Sequence, residues 1–372
     1  MKIGVPKEIK DHEYRVGLVS SSVRELVKQG HHVFVEKDAG LGIGQTNEDY
    51  QLAGAAILDS AENVFEEAEL IVKVKEPQPV ECKRMKPNQI IFTYLHLAPD
   101  PLQTELLLAS GCSAIAYETV TDSHGRLPLL MPMSEVAGKM SIQAGAMALE
   151  KSKGGRGVLM GGVPGVPPAD VVVLGGGVAG ANAARTAIGM EANVTVLDRS
   201  IPRLTELDWL FGGRIRTMYS TEEAIEQTIA SADLVIGAVL VPGASAPKLI
   251  KKSQLKEMRK GAALVDISID QGGCFETSRP TTHSNPTYIV DDIVHYCVTN
   301  MPGAAARTAA LALNNVTLPF VSALAGKGLR KALEEDHHLM MGLNVHNSKI
   351  TYAAVAQALE HTYTAPHTAM LG

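Results

Sequence analysis

Short apolar runs alternate with helix-length segments along residues 1–120. The runs that we predict as strands are Ile3–Val5, His32–Glu36, Leu70–Val74, Gln89–Tyr94 and Ser113–Tyr117. After the first run, the spacing of Ser22 and Glu25 is that of a capping box, and it predicts a helix that ends at Gly30. Strands that alternate with helices predict βαβ units and a parallel sheet.

A second series of such units follows a long stretch, Met133–Lys151, that we predict as a helix connecting two domains. The strands that we predict in this series are Val171–Leu174, Asn193–Leu197, Ile215–Tyr219, Asp233–Ala238 and Ala262–Asp266. After about residue 300 the pattern turns helical, with no strand signal strong enough to start a third domain. We therefore predict an α/β protein with two doubly wound, Rossmann-like domains, in which residues 129–306 are inserted into a discontinuous domain of residues 1–128 and 307–372.

Composition excludes several function classes. The 34 basic and 40 acidic side chains give a net charge of −6, which argues against non-specific nucleic-acid binding. The four cysteines form no CxxC pair, so neither a zinc site nor a disulfide framework is expected. The N-terminus is too charged for a secretory signal, and the longest uncharged run, Thr308–Gly326, contains Asn314 and Pro319. We expect a soluble cytoplasmic protein with neither nucleic-acid nor membrane partners.

A glycine motif points to a dinucleotide. Gly175, Gly177 and Gly180 match GxGxxG directly after a predicted strand and at the start of a predicted helix, which is the context that the motif requires. The next strand ends in Asp198, whose carboxylate can accept both ribose hydroxyls and repels a 2′-phosphate. This favours NAD over NADP, although the adjacent Arg199 could receive a 2′-phosphate. A structural glycine turn with a solvated aspartate is the alternative.

In the first domain, polar side chains follow three of the predicted strands. Arg15, Lys75 and His96 would meet in one cleft, because ligands of open α/β sheets bind beyond the carboxyl ends of the strands. Arginine suits bidentate binding of a carboxylate, lysine supplies a point charge, and histidine transfers protons. Taken singly, Arg15 and Lys75 are more often solvated charges and His96 a structural histidine. In the second domain Asp270 is a further candidate, with Asp266 as its competitor.

Over its whole length the sequence resembles NAD-dependent alanine dehydrogenases. The stretches that carry the resemblance are GVPKEIKDHEYRVGL, VKVKEP, TYLHLA, MPMSEVAGKMSIQAGA, VVVLGGGVAG, DISIDQGGCFETSRPTTH and VTNMPGAAARTA. The resemblance implies that Arg15 and Lys75 bind the substrate carboxylate and carbonyl region, and that His96 and Asp270 are the catalytic acid–base pair. It implies that residues 129–306 form the NAD-binding domain. With the glycine motif, the expected cofactor contacts are Ser134, Gly175, Gly177, Val178, Ala179, Gly180, Asp198, Arg203, Ser220, Val239, Leu240, Ile267, Ser268, Ile269, Asp270, Arg279, Val298, Thr299, Asn300 and Met301.

The reaction that the resemblance implies is the reversible oxidative deamination of L-alanine to pyruvate and ammonium, with NAD reduced to NADH. Hydride leaves the substrate Cα, water attacks the resulting imine, and His96 with Asp270 moves the protons. Asp270 would approach the substrate only on domain closure. The resemblance also implies a homohexamer. Some relatives carry metal ligands near positions 323 and 327, but Ala323 and Lys327 stand here, so we predict no metal site.

Three other functions stay open at this point. The NAD-binding component of a proton-translocating transhydrogenase is homologous, but it is normally followed by transmembrane helices, which we do not expect here, and a binding-only module does not need the pair of Lys75 and His96. Amino-acid dehydrogenases that act on saccharopine or lysine share the two-domain plan and take larger substrates. A non-catalytic NAD-sensing protein would bind the cofactor and form no NADH from any amino acid.

Overall fold

The chain forms two sheets of mostly parallel strands, and its computed structural model describes residues 1–239 and 246–371. The chain divides into two compact units, of which the first consists of Met1–Met133 and Gly303–Gly372 and the second of Ser134–Pro302. The second unit is thus one continuous segment between the two segments of the first. The α/β class with two doubly wound, Rossmann-like sheets is confirmed. The assignment of substrate to the first unit and cofactor to the second stays a prediction.

The secondary structure alternates as the hydrophobic pattern predicts. The strands are β1 Lys2–Val5, β2 His32–Glu36, β3 Ala56–Leu58, β4 Leu70–Val72, β5 Ile90–Thr93, β6 Ser113–Ala116, β7 Asp170–Leu174, β8 Asn193–Asp198, β9 Ile215–Tyr219, β10 Leu234–Gly237, β11 Ala263–Asp266, β12 Thr287–Val290, β13 Ile293–Tyr296, β14 Leu343–His346 and β15 Lys349–Ile350. The α-helices are α1 Ser20–Lys28, α2 Asn47–Leu52, α3 Ala61–Glu67, α4 Pro79–Cys82, α5 Pro101–Ser110, α6 Met131–Ala148, α7 Val178–Gly189, α8 Ile201–Phe211, α9 Glu222–Ala230, α10 Met301–Ala304, α11 Ala306–Lys327, α12 Leu329–Glu335, α13 His337–Met340, α14 Ala353–Ala358 and α15 Pro366–Met370.

In each sheet the first strand in the sequence is an interior strand, and later strands are added on both sides of it. The first has the order β15-β14-β6-β5-β4-β1-β2-β3 and the second the order β12-β13-β11-β10-β7-β8-β9. In the first sheet β1 lies between β2 and β4, and in the second β7 lies between β8 and β10, with parallel pairing in each case. Ligands of doubly wound sheets bind at such switch points, beyond the carboxyl ends of the strands.

Apolar strands and small helical residues form the interior of each unit. In the second unit Val173 of β7 shares a buried cluster with Ala184 of α7, because alanine lets the helix approach the sheet closely. In the first unit Ile71 and Ile91 share a buried cluster with Leu107 of α5. Burial of each such large aliphatic side chain contributes about 1.5–3 kcal/mol.

Tertiary contacts set the start of α1, and the predicted capping box at Ser22 is wrong. The helix begins at Ser20, and Ser22 is buried within it. The backbone N–H of Val19 donates to Asn314 Oδ1 at 2.9 Å, and that of Ser20 donates to Gln45 Oε1 at 2.9 Å. Amides from distant parts of the chain therefore satisfy the first N–H groups of the helix, which otherwise need a local cap.

The C-terminal segment contains two strands that interrupt the predicted helical pattern. β14 pairs with β6 in antiparallel orientation and with β15, so both extend the first sheet. Their sequences, LNVH and KI, are too short and too polar to stand out as strands. The last part of the chain thus returns to the first unit, as the sequence pattern favours.

The longest helix, α11, is long and apolar enough to cross a membrane by length and composition alone. Its buried face nevertheless belongs to the interior of the first unit. Asn314, in the middle of the helix, is 1% exposed, and its amide accepts from the Val19 N–H and donates to the Gly17 carbonyl at 3.2 Å. Such bonds are those of a core helix that packs against the segment after β1.

We expect Asn314→Ala to lower the free energy of unfolding by about 1–3 kcal/mol, because it leaves the buried Val19 N–H and Gly17 C=O without partners. Chemical denaturation of the variant and the parent measures this difference. Asn315→Ala is the matched control, because Asn315 is the next residue of the same helix and is exposed. Equal stability of the two variants would contradict a role of Asn314 in holding this segment.

Candidate active site

Three loops meet at the carboxyl edge of the first sheet. Arg15 follows β1, Lys75 follows β4 and His96 follows β5, and these strands are neighbours in the sheet. The loops are joined by hydrogen bonds: the Val74 N–H donates to Glu8 Oε1 at 2.7 Å, and the Thr93 hydroxyl donates to the Lys75 carbonyl at 2.9 Å. The structure therefore brings the three sequence-predicted loops to one edge.

The side chain of Arg15 is fixed by Glu13. The guanidinium is 2% exposed, and its Nε and Nη2 donate to the two carboxylate oxygens of Glu13 at 2.7 and 2.6 Å. Burial opposes the charge of Arg15, but the hydrogen bonds and charge of Glu13 outweigh it and raise its pKa. The third nitrogen, Nη1, lies 3.0 Å from the sulfur of Met133. The Nε–Nη2 edge is thus already used within the protein.

Lys75 lies beside a carboxylate that it shares with another lysine. Its Nζ is 3.5 Å from Glu76 Oε2, while Lys10 is bonded to Glu76 Oε1. Burial of Glu76 favours its protonated form, but the charge of Lys75 and the bond from Lys10 outweigh burial and lower its pKa to about 2. The carboxylate is therefore ionised at neutral pH, and it fixes both ammonium groups near the end of β4.

A fully buried ion cluster lies under the same edge. Lys73 Nζ donates to Glu8 Oε2 at 3.0 Å and to Glu81 Oε1 at 2.8 Å. Burial opposes the charge of Lys73, but its two carboxylate partners raise its pKa. For Glu8, burial disfavours the ionised carboxylate and raises its pKa, and the charge of Lys73 offsets this only in part. Since Glu8 also accepts from the Val74 N–H, the cluster ties the segment after β1 to the end of β4.

His96 has an unusual backbone conformation for a residue other than glycine, with φ of +48°. Its ring stacks on Tyr94, with centroids 6.0 Å apart and planes 5° from parallel. Its side chain is 43% exposed, whereas Tyr94 is buried and donates its hydroxyl hydrogen bond to the Leu129 carbonyl. The imidazole is therefore accessible while its backbone is fixed, and such backbone strain is typical of functional sites.

In the second unit, the glycine-rich turn fits a dinucleotide. Gly175 has φ of +97°, and a Cβ there would lie 2.6 Å from the Ala238 carbonyl oxygen. A Cβ on Gly180 would overlap the Gly175 carbonyl, whereas one on Gly177 would meet no atom within 4 Å. Among the residues that the structure describes, none fills the space above Gly177, and the start of α7 has no side-chain cap. The first N–H groups of this helix are therefore suited to a pyrophosphate.

Asp198 and Arg203 brace this turn. Asp198, at the end of β8, accepts from the Gly176 N–H at 2.6 Å with Oδ2 and from the Ser200 N–H at 2.8 Å with Oδ1. Arg203 Nε donates to the Gly176 carbonyl at 2.6 Å, and its Nη1 donates to Glu206. Arg203, which on sequence alone could be a solvated helix charge, thus contacts the glycine turn.

The other expected cofactor residues gather at the carboxyl ends of the second sheet. Ser220 follows β9, Val239 follows β10, Ile267–Asp270 follow β11 and Val298–Met301 follow β13. Val178 and Ala179 are the first two residues of α7. A Cβ on Gly138 would overlap the Ala179 carbonyl, so the part of α6 that follows Ser134 packs against the start of α7. Arg279 stacks on Tyr288, with its guanidinium carbon 4.1 Å from the ring centroid. Leu240 lies outside the described residues.

The two competing aspartates have different surroundings. Asp266 is fully buried and accepts from the N–H groups of Ser268 and Cys274 and from the hydroxyl of Ser278. Burial raises its pKa, partly offset by these donors. Asp270 lies in the following 3-10 turn, Ile267–Gln271, and is exposed. Asp266 therefore shapes the turn, whereas Asp270 is accessible.

Sequence reasoning missed the carboxylates that support the three basic residues. Glu13 stands two positions before Arg15, Glu76 directly follows Lys75, and Glu118 follows β6, the strand next to β5. Glu118 was detectable by the rule that points to the other three, since it also follows a strand of this sheet. Within residues 1–239 and 246–371, no group of three or more His, Cys, Asp and Glu side chains is placed to hold a metal ion.

Comparisons with known proteins identify the family. Residues 4–137 match the family model "Alanine dehydrogenase/PNT, N-terminal domain", and residues 141–353 match "Alanine dehydrogenase/PNT, C-terminal domain". The chain is 58% identical to an alanine dehydrogenase of Halomonas elongata, over 98% of both chains. A solved L-alanine dehydrogenase superimposes with a TM-score of 0.94 at 53% identity, over 97% of this chain and 99% of that chain.

A solved transhydrogenase from Sinorhizobium meliloti superimposes with a TM-score of 0.81, over 95% of this chain and all of that chain. At 23% identity, this likeness shows a shared fold alone. The two family models and the relatives that are more than half identical agree over nearly the whole chain. This chain therefore belongs to the alanine dehydrogenase/PNT family and is an oxidoreductase of the alanine dehydrogenase type.

Proposed function

We propose that this protein catalyses the reversible oxidative deamination of L-alanine to pyruvate and ammonium, with NAD as the hydride acceptor. The observation that carries the proposal is that the loops of Arg15, Lys75 and His96 follow neighbouring strands at the carboxyl edge of the first sheet. A carboxylate-binding cation, a second cation and a proton-transferring imidazole are the groups that an amino acid and its keto acid require. The high identity to proteins named alanine dehydrogenase supports the same substrate.

In this proposal Arg15 and Lys75 bind the substrate. The charge of the Arg15 guanidinium, which Glu13 fixes, would attract the substrate carboxylate. Lys75, fixed by Glu76, would contact the carboxylate and the carbonyl or amino-bearing carbon. Alanine has a single methyl side chain, so these charges would supply most of its binding free energy.

His96 and Asp270 transfer the protons. When bound, NAD would supply the acceptor for the hydride of the substrate Cα, and loss of hydride from the amine would leave an iminium on the substrate. His96 would take a proton from the water that attacks the iminium carbon and give it to the nitrogen that leaves as ammonia. It would also take the remaining hydroxyl proton as the carbonyl forms, a cycle that suits an accessible imidazole. Asp270, exposed in its turn after β11, assists as the second member of the pair.

For the cofactor, we propose the residues that line the carboxyl ends of the second sheet. The N–H groups at the start of α7 would bind the pyrophosphate, and Asp198 would accept the hydroxyls of the adenosine ribose. The remaining contacts are those expected from the sequence, from Ser134 to Met301. We further propose a homohexamer in the cytoplasm, without a metal ion, a nucleic acid or a membrane as partner, on the basis of the family resemblance and the composition.

The test of this function is an absorbance assay at the NADH band in both directions. With alanine and NAD we expect NADH to form, and with pyruvate, ammonium and NADH we expect NADH to be consumed. Cofactor binding without turnover of any amino acid would indicate a binding or sensing module instead. Turnover of lysine or saccharopine in place of alanine would indicate the larger-substrate dehydrogenases.

We expect His96→Ala to lower kcat by at least about a hundredfold and to leave NAD affinity nearly unchanged, because the proton-transferring group is lost. Steady-state kinetics and cofactor titration measure the two quantities. His361→Ala is the matched control, since His361 pairs with Glu105 at the surface of the same unit. Near-parental turnover of His96→Ala would remove His96 from the mechanism.

The two aspartates should respond differently to the same substitution. Asp270→Asn should lower kcat strongly at unchanged thermal stability, because an exposed charge with a chemical role is removed. Asp266→Asn should chiefly lower the melting temperature, because the buried carboxylate accepts from three neighbours. Kinetics and thermal unfolding of both variants decide between them. A harmless Asp270→Asn would show that the catalytic assignment is wrong.

Cofactor choice tests Asp198. Hydrogen bonds from hydroxyls to a charged acceptor contribute about 1.5–3 kcal/mol each, and a 2′-phosphate would meet like charge. We expect at least about a hundredfold preference in kcat/KM for NAD over NADP, and Asp198→Ala should reduce it at least about tenfold. Because Asp198 also accepts from the Gly176 N–H, Asp198→Asn is the control that keeps an acceptor for the turn. An unchanged ratio in Asp198→Ala would mean that Asp198 does not face the ribose.

A further inference from the structure

We propose that Glu118 is a positioning residue that holds His96 in the backbone conformation from which its imidazole acts. The inference rests on the proposed role of His96. Glu118 lies in a short 3-10 turn, Tyr117–Thr119, directly after β6. β6 neighbours β5, the strand that ends just before His96, so the carboxylate reaches across from the adjacent loop.

The contact of Glu118 is with the main chain of the catalytic loop. Its Oε1 accepts from the His96 N–H at 2.6 Å, and both of its oxygens lie 3.2 Å from the Leu95 nitrogen, which donates to them. Two successive N–H groups thus point at one carboxylate. Such a pair of amides needs an anion or another strong acceptor, and Glu118 supplies it from within the protein.

These bonds help to hold the loop in which His96 has a φ of +48°. A side chain with a Cβ reaches the left-handed region only at a cost in energy, so the surrounding contacts must hold it there. The bonds from the Leu95 and His96 N–H groups fix the two peptide planes that precede the His96 Cα, and the second plane is one side of the bond about which φ turns. Loss of the carboxylate would free these planes, and the imidazole would then lose its fixed direction.

Glu118 makes no hydrogen bond to the imidazole ring of His96. The ring Nδ1 is 3.8 Å from Glu118 Oε1, which is beyond hydrogen-bond distance, and the ring stacks on Tyr94. The turn that carries Glu118 is fixed in its own right, because the Tyr117 hydroxyl donates to the Lys73 carbonyl at 2.9 Å. The hydrogen bonds of Glu118 are therefore to the backbone that carries the ring, while its carboxylate lies at ion-pair distance from Nδ1.

The test is a comparison of Glu118→Ala with Glu118→Gln by steady-state kinetics in the intact enzyme. We expect Glu118→Ala to lower kcat about tenfold or more while the KM for alanine and the affinity for NAD change less than about twofold. Glu118→Gln should stay within about fivefold of the parent, because its amide oxygen can accept the same N–H bonds. Glu105→Ala is the matched control, since Glu105 also pairs with a histidine but at the surface.

A double variant separates positioning from a general structural effect. If Glu118 acts through His96, then His96→Ala with Glu118→Ala should be no slower than His96→Ala alone, because nothing is left to position. If Glu118→Ala does not fold, as judged by circular dichroism, Glu118→Met takes its place, since methionine fills the space without an acceptor.

Three results would overturn the proposal: parental kcat in Glu118→Ala, an equal loss in Glu118→Gln, or additive losses in the double variant. Parental turnover of His96→Ala would instead refute the proposed function of His96. The two failures are therefore distinguishable.

Discussion

The cations buried at the carboxyl edge of the first sheet require carboxylate partners, and this requirement shapes the site. Lys73 is fully buried between Glu8 and Glu81, and Arg15 is buried against Glu13. An unpaired charge at such depth costs several kcal/mol, so the segment after β1, which carries Glu8, must fold over the end of β4 to reach Lys73. The same pairing that stabilises this segment places Arg15 and Lys75 at one edge.

The two sheets share a topology but offer different chemistry. At the edge of the first, charged side chains are held by other charged side chains, which suits a small anionic substrate. At the edge of the second, the glycine turn and the start of α7 offer main-chain N–H groups, with Asp198 and Arg203 fixing the turn. This suits a large ligand with phosphates and ribose hydroxyls. The same sheet topology can thus offer two kinds of binding site, because the groups that would bind each ligand lie in the loops after the strands.

The sequence allowed prediction of much of this arrangement, because strand periodicity and the carboxyl-end rule are local or topological. The loops of Arg15, Lys75 and His96 and the glycine turn were found in this way. The partners Glu13, Glu76 and Glu118 are not predicted. Glu13 and Glu76 lie close in sequence to Arg15 and Lys75, but adjacency does not show which charge a side chain contacts, and the contact of Glu118 with His96 depends on tertiary distances. For the same reason the start of α1 was misplaced: Asn314 and Gln45 satisfy its first N–H groups from afar. β14 was missed because its neighbour β6, and not its own pattern, makes it a strand.

The central claim is that Arg15, Lys75 and His96 act on one substrate at the carboxyl edge of the first sheet. A crystal structure of the protein with NADH and pyruvate tests it most directly. The account predicts the pyruvate carboxylate within about 3 Å of nitrogen atoms of Arg15 and Lys75, with its carbonyl carbon facing the His96 imidazole and the nicotinamide. Pyruvate bound elsewhere, or bound with Arg15 engaged by Glu13 alone and His96 turned away, would contradict it.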